Sequence, residues 1–134
     1  MYHEKDRIRK EQRPQEQGRK IEAGFSGGNI TSDGGILLLK MADQKIGLVK
    51  RVASVIEDTR DHDQITMLQQ RIFGLALGYE DLNDHMTLRK DKALQVAVEK
   101  SDDLASSSTL CRLENRIKPK AMWQISEALV RAYL

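Results

Sequence analysis

Acidic side chains and one histidine crowd a single joint of the chain. The run GYEDLNDHMTLRKD, residues 78–91, holds Glu80, Asp81, Asp84, His85 and Asp91 beside the basic residues Arg89 and Lys90. Carboxylates with an imidazole make a ligand set for magnesium or manganese. The spacing matches no metal motif, however, and a histidine in a polar joint is expected to hydrogen-bond at the surface. Asp84 and Asp91 each stand just ahead of a helical pattern, where a carboxylate accepts from free backbone N–H groups and faces the positive end of the helix dipole. Capping therefore explains both, and no metal ligand is assigned. The segment EDTRDHD, residues 57–63, offers Asp58, Asp61, His62 and Asp63. It is weighed in the same way, with Asp63 as an N-cap.

A second constellation has the residue types that read or grip nucleic acid. In SSSTLCRLENRI, residues 106–117, Leu110, Leu113 and Ile117 recur at helical spacing and face inward. Ser108, Arg112, Asn115 and Arg116 are left outside, followed by Lys118 and Lys120. Arginine makes paired bonds to guanine, asparagine makes them to adenine, and serine and lysine bond phosphate. With the capped segment 91–99, this helix forms a possible helix-turn-helix, although the turn SDDLASS is longer than usual. An ordinary solvated helix explains the same residues, and both readings stay open at this point. Nucleophilic catalysis has little support. Cys111 follows an inward leucine, while His3, His62 and His85 share no motif, so the catalytic assignment is none.

The elements that must position these residues are helical. TSDGGILLLKMADQKIG, residues 31–47, opens with the capping side chains Ser32 and Asp33 and closes with Gly47, suited to a left-handed helix end. In LVKRVASVI, Leu48, Val49, Val52 and Ile56 share one face. From Gln64 to Tyr79 the residues Ile65, Leu68, Ile72, Leu75, Ala76 and Tyr79 recur at three- and four-residue steps, which predicts an amphipathic helix. Gly74 and Gly78, four apart, would let another helix approach closely, or else merely weaken the last turn. Leu94, Ala97 and Val98 point inward from a short helix, Pro119 stops the helix before it, and Met122, Ile125, Leu129 and Tyr133 line one stripe of the final segment. That segment ends on apolar residues in mid-pattern, which reads as a chain cut short or as a terminal helix docked on its own core. IEAGFSG supplies at most one short strand, near residues 21–26. The fold class predicted is mainly α.

Length and charge bound the function. The chain has 134 residues and 40% hydrophobic content, which suits one modest domain. One cysteine excludes an internal disulfide, and ILLL at 36–39 is far too short to span a bilayer. No signal-peptide pattern opens the chain, and a cytoplasmic location is expected. Residues 1–20 carry seven Lys/Arg and four Asp/Glu with few apolar side chains, which predicts a flexible charged arm. The remaining residues hold 15 basic and 16 acidic side chains, so any phosphate-binding surface must be local, and 111–120 is the best stretch.

Two long runs carry a resemblance. DHDQITMLQQRIFGLALGYEDLNDHMTLRKDKALQ, with LASSSTLCRLENR after it, resembles the N-terminal region of DDE-type insertion-sequence transposases of the bacterial family called thirteen-eighty. The similarity covers residues 24–134 and begins with GFSGGNITSDGGILLL. It implies transposition of a mobile element. In such enzymes three acids hold two divalent metals, magnesium or manganese, on a ribonuclease H-like sheet, and the metals activate the attacking oxygen and stabilise the leaving one. The resemblance places the first of those acids in a strand beyond residue 134, so Asp81, Asp84 and Glu114 match none of them. Residues 21–134 then correspond to a helical region truncated before the catalytic core, expected to bind transposon ends or assemble the complex. Self-association through residues 121–134 is the partner expectation beside DNA. The rival reading is a helical interaction or dimerisation module without DNA, and a free-standing metal nuclease comes last.

Overall fold

A computed structural model describes residues 32–56 and 62–134, without the side chains of His62 and Asp63. The expected arm at 1–20, the strand near 21–26 and the acids Asp58 and Asp61 lie outside the described residues. Asp33–Leu134 forms one compact unit. Its order is α1 (Ile36–Ile46), α2 (Leu48–Val55), α3 (His62–Ala76), a 3-10 turn (Leu82–Asp84), α4 (His85–Leu88), α5 (Lys92–Ala97), α6 (Ser107–Asn115) and α7 (Pro119–Tyr133). The fold is mainly α, and no strand occurs among the described residues.

Local chemistry sets most of the helix ends. Gly47 takes φ +71° and separates α1 from α2, a conformation that only glycine adopts without steric cost. Asp91 caps α5 by accepting from the Leu94 N–H at 3.1 Å, and Ser106 caps α6 through the Thr109 N–H. Three expected caps are corrected. Gly35 precedes α1 without a side-chain cap, and the Asp33 carboxylate accepts from the Tyr79 hydroxyl at 2.8 Å instead. Asp81, not Asp84, does the capping at the acidic joint. It accepts from the Asn83 N–H at 2.9 Å, because a 3-10 turn intervenes before α4. Asp63 stands inside α3, which begins at His62. Pro119 occupies the first position of α7, where its missing N–H matters least.

The core joins Ile36 from α1, Val49, Val52 and Ala53 from α2, and Leu68 and Phe73 from α3 to Leu88, Leu94, Ala97, Val98, Leu104 and Leu113. Leu110 is fully buried as well. α2 lies against α3 and α7, α1 lies against α3 and α5, and α6 lies against the 3-10 turn. The helix-turn-helix expectation paired α5 with α6. The observed principal neighbours differ, because residues 100–105 carry the chain away from α5 and tie it to Arg89. The Leu104 N–H donates to the Arg89 carbonyl at 2.9 Å, and Arg89 Nε returns a bond to the Leu104 carbonyl at 3.0 Å.

Two departures from the apolar pattern shape the rest. On α3 the inward positions include Gln64, Gln70 and Phe73, while Leu75 and Ala76 are exposed. α7 docks through Ala121, Gln124, Ile125, Ala128 and Ala132, which are partly covered. Met122, Trp123, Leu129, Val130 and Tyr133 face outward, with Trp123 at 68% exposure.

Candidate nucleic-acid interface

Short α6 is positioned by its two ends and by the leucines between them. Leu110 and Leu113 sink into the core, which turns the opposite face outward. On that face stand Ser108, Arg112, Asn115 and Arg116, exposed as the spacing predicted, and Lys118 and Lys120 after it are exposed too. Arg112 Nε donates back to the Ser108 carbonyl at 3.3 Å, and Asn115 donates weakly to Cys111 Sγ at 3.6 Å. These are bonds within the helix, so both heads remain at the surface.

Arg116, Lys118 and Lys120 also line a cleft of about 230 Å³ with Ser54, Val55, Ile56, Ile117, Ala121 and Gln124. The only carboxylate between residues 104 and 126 is Glu114. It is drawn away from the outer face by Arg71, whose Nε approaches it to 2.6 Å. The sequence run alone could not show this removal of a competing charge. Arg112 and Arg116 are exposed on α6, and Arg116, Lys118 and Lys120 flank the cleft.

Below this surface lies a buried polar system that periodicity did not reveal. His85 is 0% exposed, against the expectation of a surface histidine. Gln70, also fully buried, donates from Nε2 to the Ala105 carbonyl at 3.0 Å and accepts the Ala105 N–H on Oε1 at 3.1 Å. Those two bonds fix which end of the amide is nitrogen. The same Nε2 therefore donates to His85 Nδ1 at 3.1 Å, and the imidazole proton sits on Nε2. His85 Nε2 has no partner. Gly74 makes room for it: a Cβ there would meet His85 Cε1 at 3.0 Å and Nε2 at 3.2 Å. Burial is the main cause holding the His85 pKa below its usual 6.5, with the Arg71 charge adding to the effect and Asp84 and Glu114 opposing it.

Gly78, the other member of the spaced pair, has a different task. At φ +98° it closes α3, with its own N–H bonded to the Leu75 carbonyl and the Tyr79 N–H bonded to the Gly74 carbonyl. α5 closes in the same way with Glu99 at φ +60°, a position that glycine usually takes. The Glu99 carboxylate meets the buried Lys40 ammonium at 3.1 Å.

Nothing in this arrangement gathers metal ligands. Among the described residues no three of His, Cys, Asp and Glu come together, and Asp81 is committed to a turn and His85 to the core. These residues do not fit a two-metal catalytic set.

A family model described as Transposase DDE domain group 1 matches residues 13–134. No curated protein and no solved structure matches the chain.

Proposed function

Because the chain belongs to the transposase DDE domain group 1 family, we propose that it serves transposition by holding DNA and helping to assemble the complex, rather than by strand chemistry of its own. The observation that carries this is the outward face of α6 and its following turn, where Ser108, Arg112, Asn115, Arg116, Lys118 and Lys120 stand exposed while Glu114 is engaged by Arg71. Transposon ends are the intended DNA. The signature runs further support placing the chain in the N-terminal region of a bacterial insertion-sequence transposase of the thirteen-eighty family. In this reading residues 1–20 form a charged arm, residues 21–134 form the helical region, and the protein works in the cytoplasm. Among the described residues no helix is long and apolar enough to cross a membrane.

The family implies divalent metal, which supplies Lewis-acid activation of the attacking and leaving oxygens. The residues described here do not fit that role, so no step is assigned to them. Incubation with supercoiled DNA and magnesium or manganese should leave it intact. Nicking that vanishes on Asp81→Ala or Asp84→Ala would overturn this assignment.

Binding to transposon-end and scrambled duplexes at several salt concentrations tests the main reading. A base-contacting arginine carries about 1–3 kcal/mol of discrimination, so Arg112→Ala and Arg116→Ala should lower preference as well as affinity. Deleting residues 1–20 should weaken binding to every sequence and flatten the salt dependence. Full preference retained by both arginine variants would remove α6 from the interface.

A second reading, a helical interaction module that self-associates through residues 121–134, is favoured by the outward Met122, Trp123, Leu129, Val130 and Tyr133 of α7. It needs no DNA.

A further inference from the structure

Neighbouring residues of α3 hold α6 at opposite ends. Gln70 pairs with both backbone groups of Ala105, immediately before the Ser106 cap, at 3.0 and 3.1 Å. Arg71 reaches Glu114, in the last turn, at 2.6 Å. The rest of the Arg71 guanidinium donates to the carbonyls of Tyr79 at 3.3 Å and Glu80 at 3.0 Å, just ahead of the 3-10 turn on which α6 rests. α3 and α6 meet in the core through Leu68, Phe73 and Leu113, and the Gln70 and Arg71 side chains add directional bonds at the two ends of α6.

The division of labour follows from the physics of the contacts. Apolar burial is non-directional. Leu110 and Leu113 decide which face of α6 turns inward, but two leucines on a nine-residue helix leave its tilt and its position along its own axis weakly determined. Hydrogen bonds constrain distance and angle together. One at each end supplies the missing constraints. At the first end the amide orientation is held by a third partner, His85 Nδ1, inside a fully buried site. At the second the bond is charge-assisted and only partly exposed, with 14% of the Arg71 side chain accessible.

We propose that Gln70 and Arg71 are positioning residues, a two-point clamp from α3 that sets the pose in which α6 presents Arg112, Asn115 and Arg116 to DNA. The pose rests on the geometry above, and the DNA to which it is presented rests on the function proposed in the preceding section. Neither residue touches the DNA. Loss of either anchor tilts α6 and misaligns side chains whose paired bonds to a base tolerate little displacement. Phosphate attraction, which depends on charge and not on register, survives.

The test separates pose from DNA. Amide residual dipolar couplings of the full chain report the orientation of 107–115 relative to α1 and α2, for wild type, Gln70→Met and Arg71→Met. Gln70→Glu, which keeps shape and the acceptor for the Ala105 N–H, stands in if Gln70→Met fails to fold. Arg71→Lys retains the charge beside Glu114 without the fork to Tyr79 and Glu80 and should restore part of the pose. The expected result is a reoriented α6 with α1 and α2 unchanged. Affinity for scrambled duplex should be kept in Gln70→Met and should fall in Arg71→Met, where Glu114 is released, while in both variants the preference for transposon-end over scrambled duplex should fall by about tenfold or more, the size of one lost base contact. An unmoved α6 in both variants overturns the clamp, whatever DNA does. A moved α6 with full preference overturns the positioning role. A wild-type chain with no preference between duplexes removes the DNA reading, a result told apart from the others because the couplings need no DNA.

Discussion

Replacing Gly74 with alanine should destabilise the protein, although helix propensity alone predicts the reverse. In a helix interior alanine is favoured over glycine by about 1 kcal/mol. Against this, the new methyl would lie 3.0 Å from His85 Cε1 and 3.2 Å from Nε2. The imidazole cannot swing aside, because it is completely buried and bonded through Nδ1 to an amide that is itself locked on Ala105. Overpacking of this kind costs about 1–3 kcal/mol. The two effects leave a net loss of about 0–2 kcal/mol. The background decides the interpretation. In a His85→Ala chain the obstacle is gone, so the same substitution should stabilise by about 1 kcal/mol. Urea unfolding of the four chains gives the cycle, with a coupling energy of about 1–3 kcal/mol expected. A Gly74→Ala chain stabilised equally in both backgrounds would refute the placement of the ring against Gly74.

Other outcomes follow from single features. The His85 pKa lies below its usual value, chiefly through burial, so the unfolded chain takes up this proton first on acidification. Stability is therefore complete above about pH 6.5 and falls as the pH drops toward the folded-state pKa, and His85→Gln should abolish that slope in urea midpoints measured against pH. Gly47→Ala meets nothing within 4 Å but must hold φ +71°, so thermal unfolding should show a loss of about 1–2 kcal/mol from backbone strain alone. Asp91→Ala should lose about 0.5–2 kcal/mol as a missing cap, whereas Asp84→Ala, which removes no cap bond, should lose less. Trp123 is the sole tryptophan and should emit as a solvated indole. A blue shift on raising protein concentration would support self-association through α7, and constant emission with monomeric scattering would dismiss it.

Much of the helical order was legible because it is written in local chemistry. Gly47, Asp91 and the hydroxyls before α6 act within three or four residues of themselves, and Leu110, Leu113, Leu94 and Val98 were buried as their spacing required. The exposed face of α6 followed from the same leucines. What escaped depends on partners far along the chain. Gln70 and His85 are polar, so a pattern that counts apolar residues passes over them, yet they meet Ala105 and Gly74 in the core. Glycines four apart suggested a helix crossing or a weakened last turn, and in the structure Gly74 admits a side chain while Gly78 ends a helix. The cap expected of Asp84 is made by Asp81 because a 3-10 turn, three residues long, has no periodicity to detect.

The manner in which α7 is seated gives the domain an uneven resistance to opening. A helix held mainly by alanine methyls and one isoleucine returns little apolar area to water when it lifts away, so its detachment requires far less free energy than extracting α3 with Leu68 and Phe73. Backbone amides of α7 should then exchange with solvent through a local opening that leaves the core shut, and those of α3 should wait for global unfolding, a difference that hydrogen exchange measures. The outer face carries the larger side chains Met122, Trp123, Leu129, Val130 and Tyr133, and a molecule that covers it would add its contacts to those that hold α7 against α2. Binding there would register as protection spreading inward to the alanine side as well as over the surface touched.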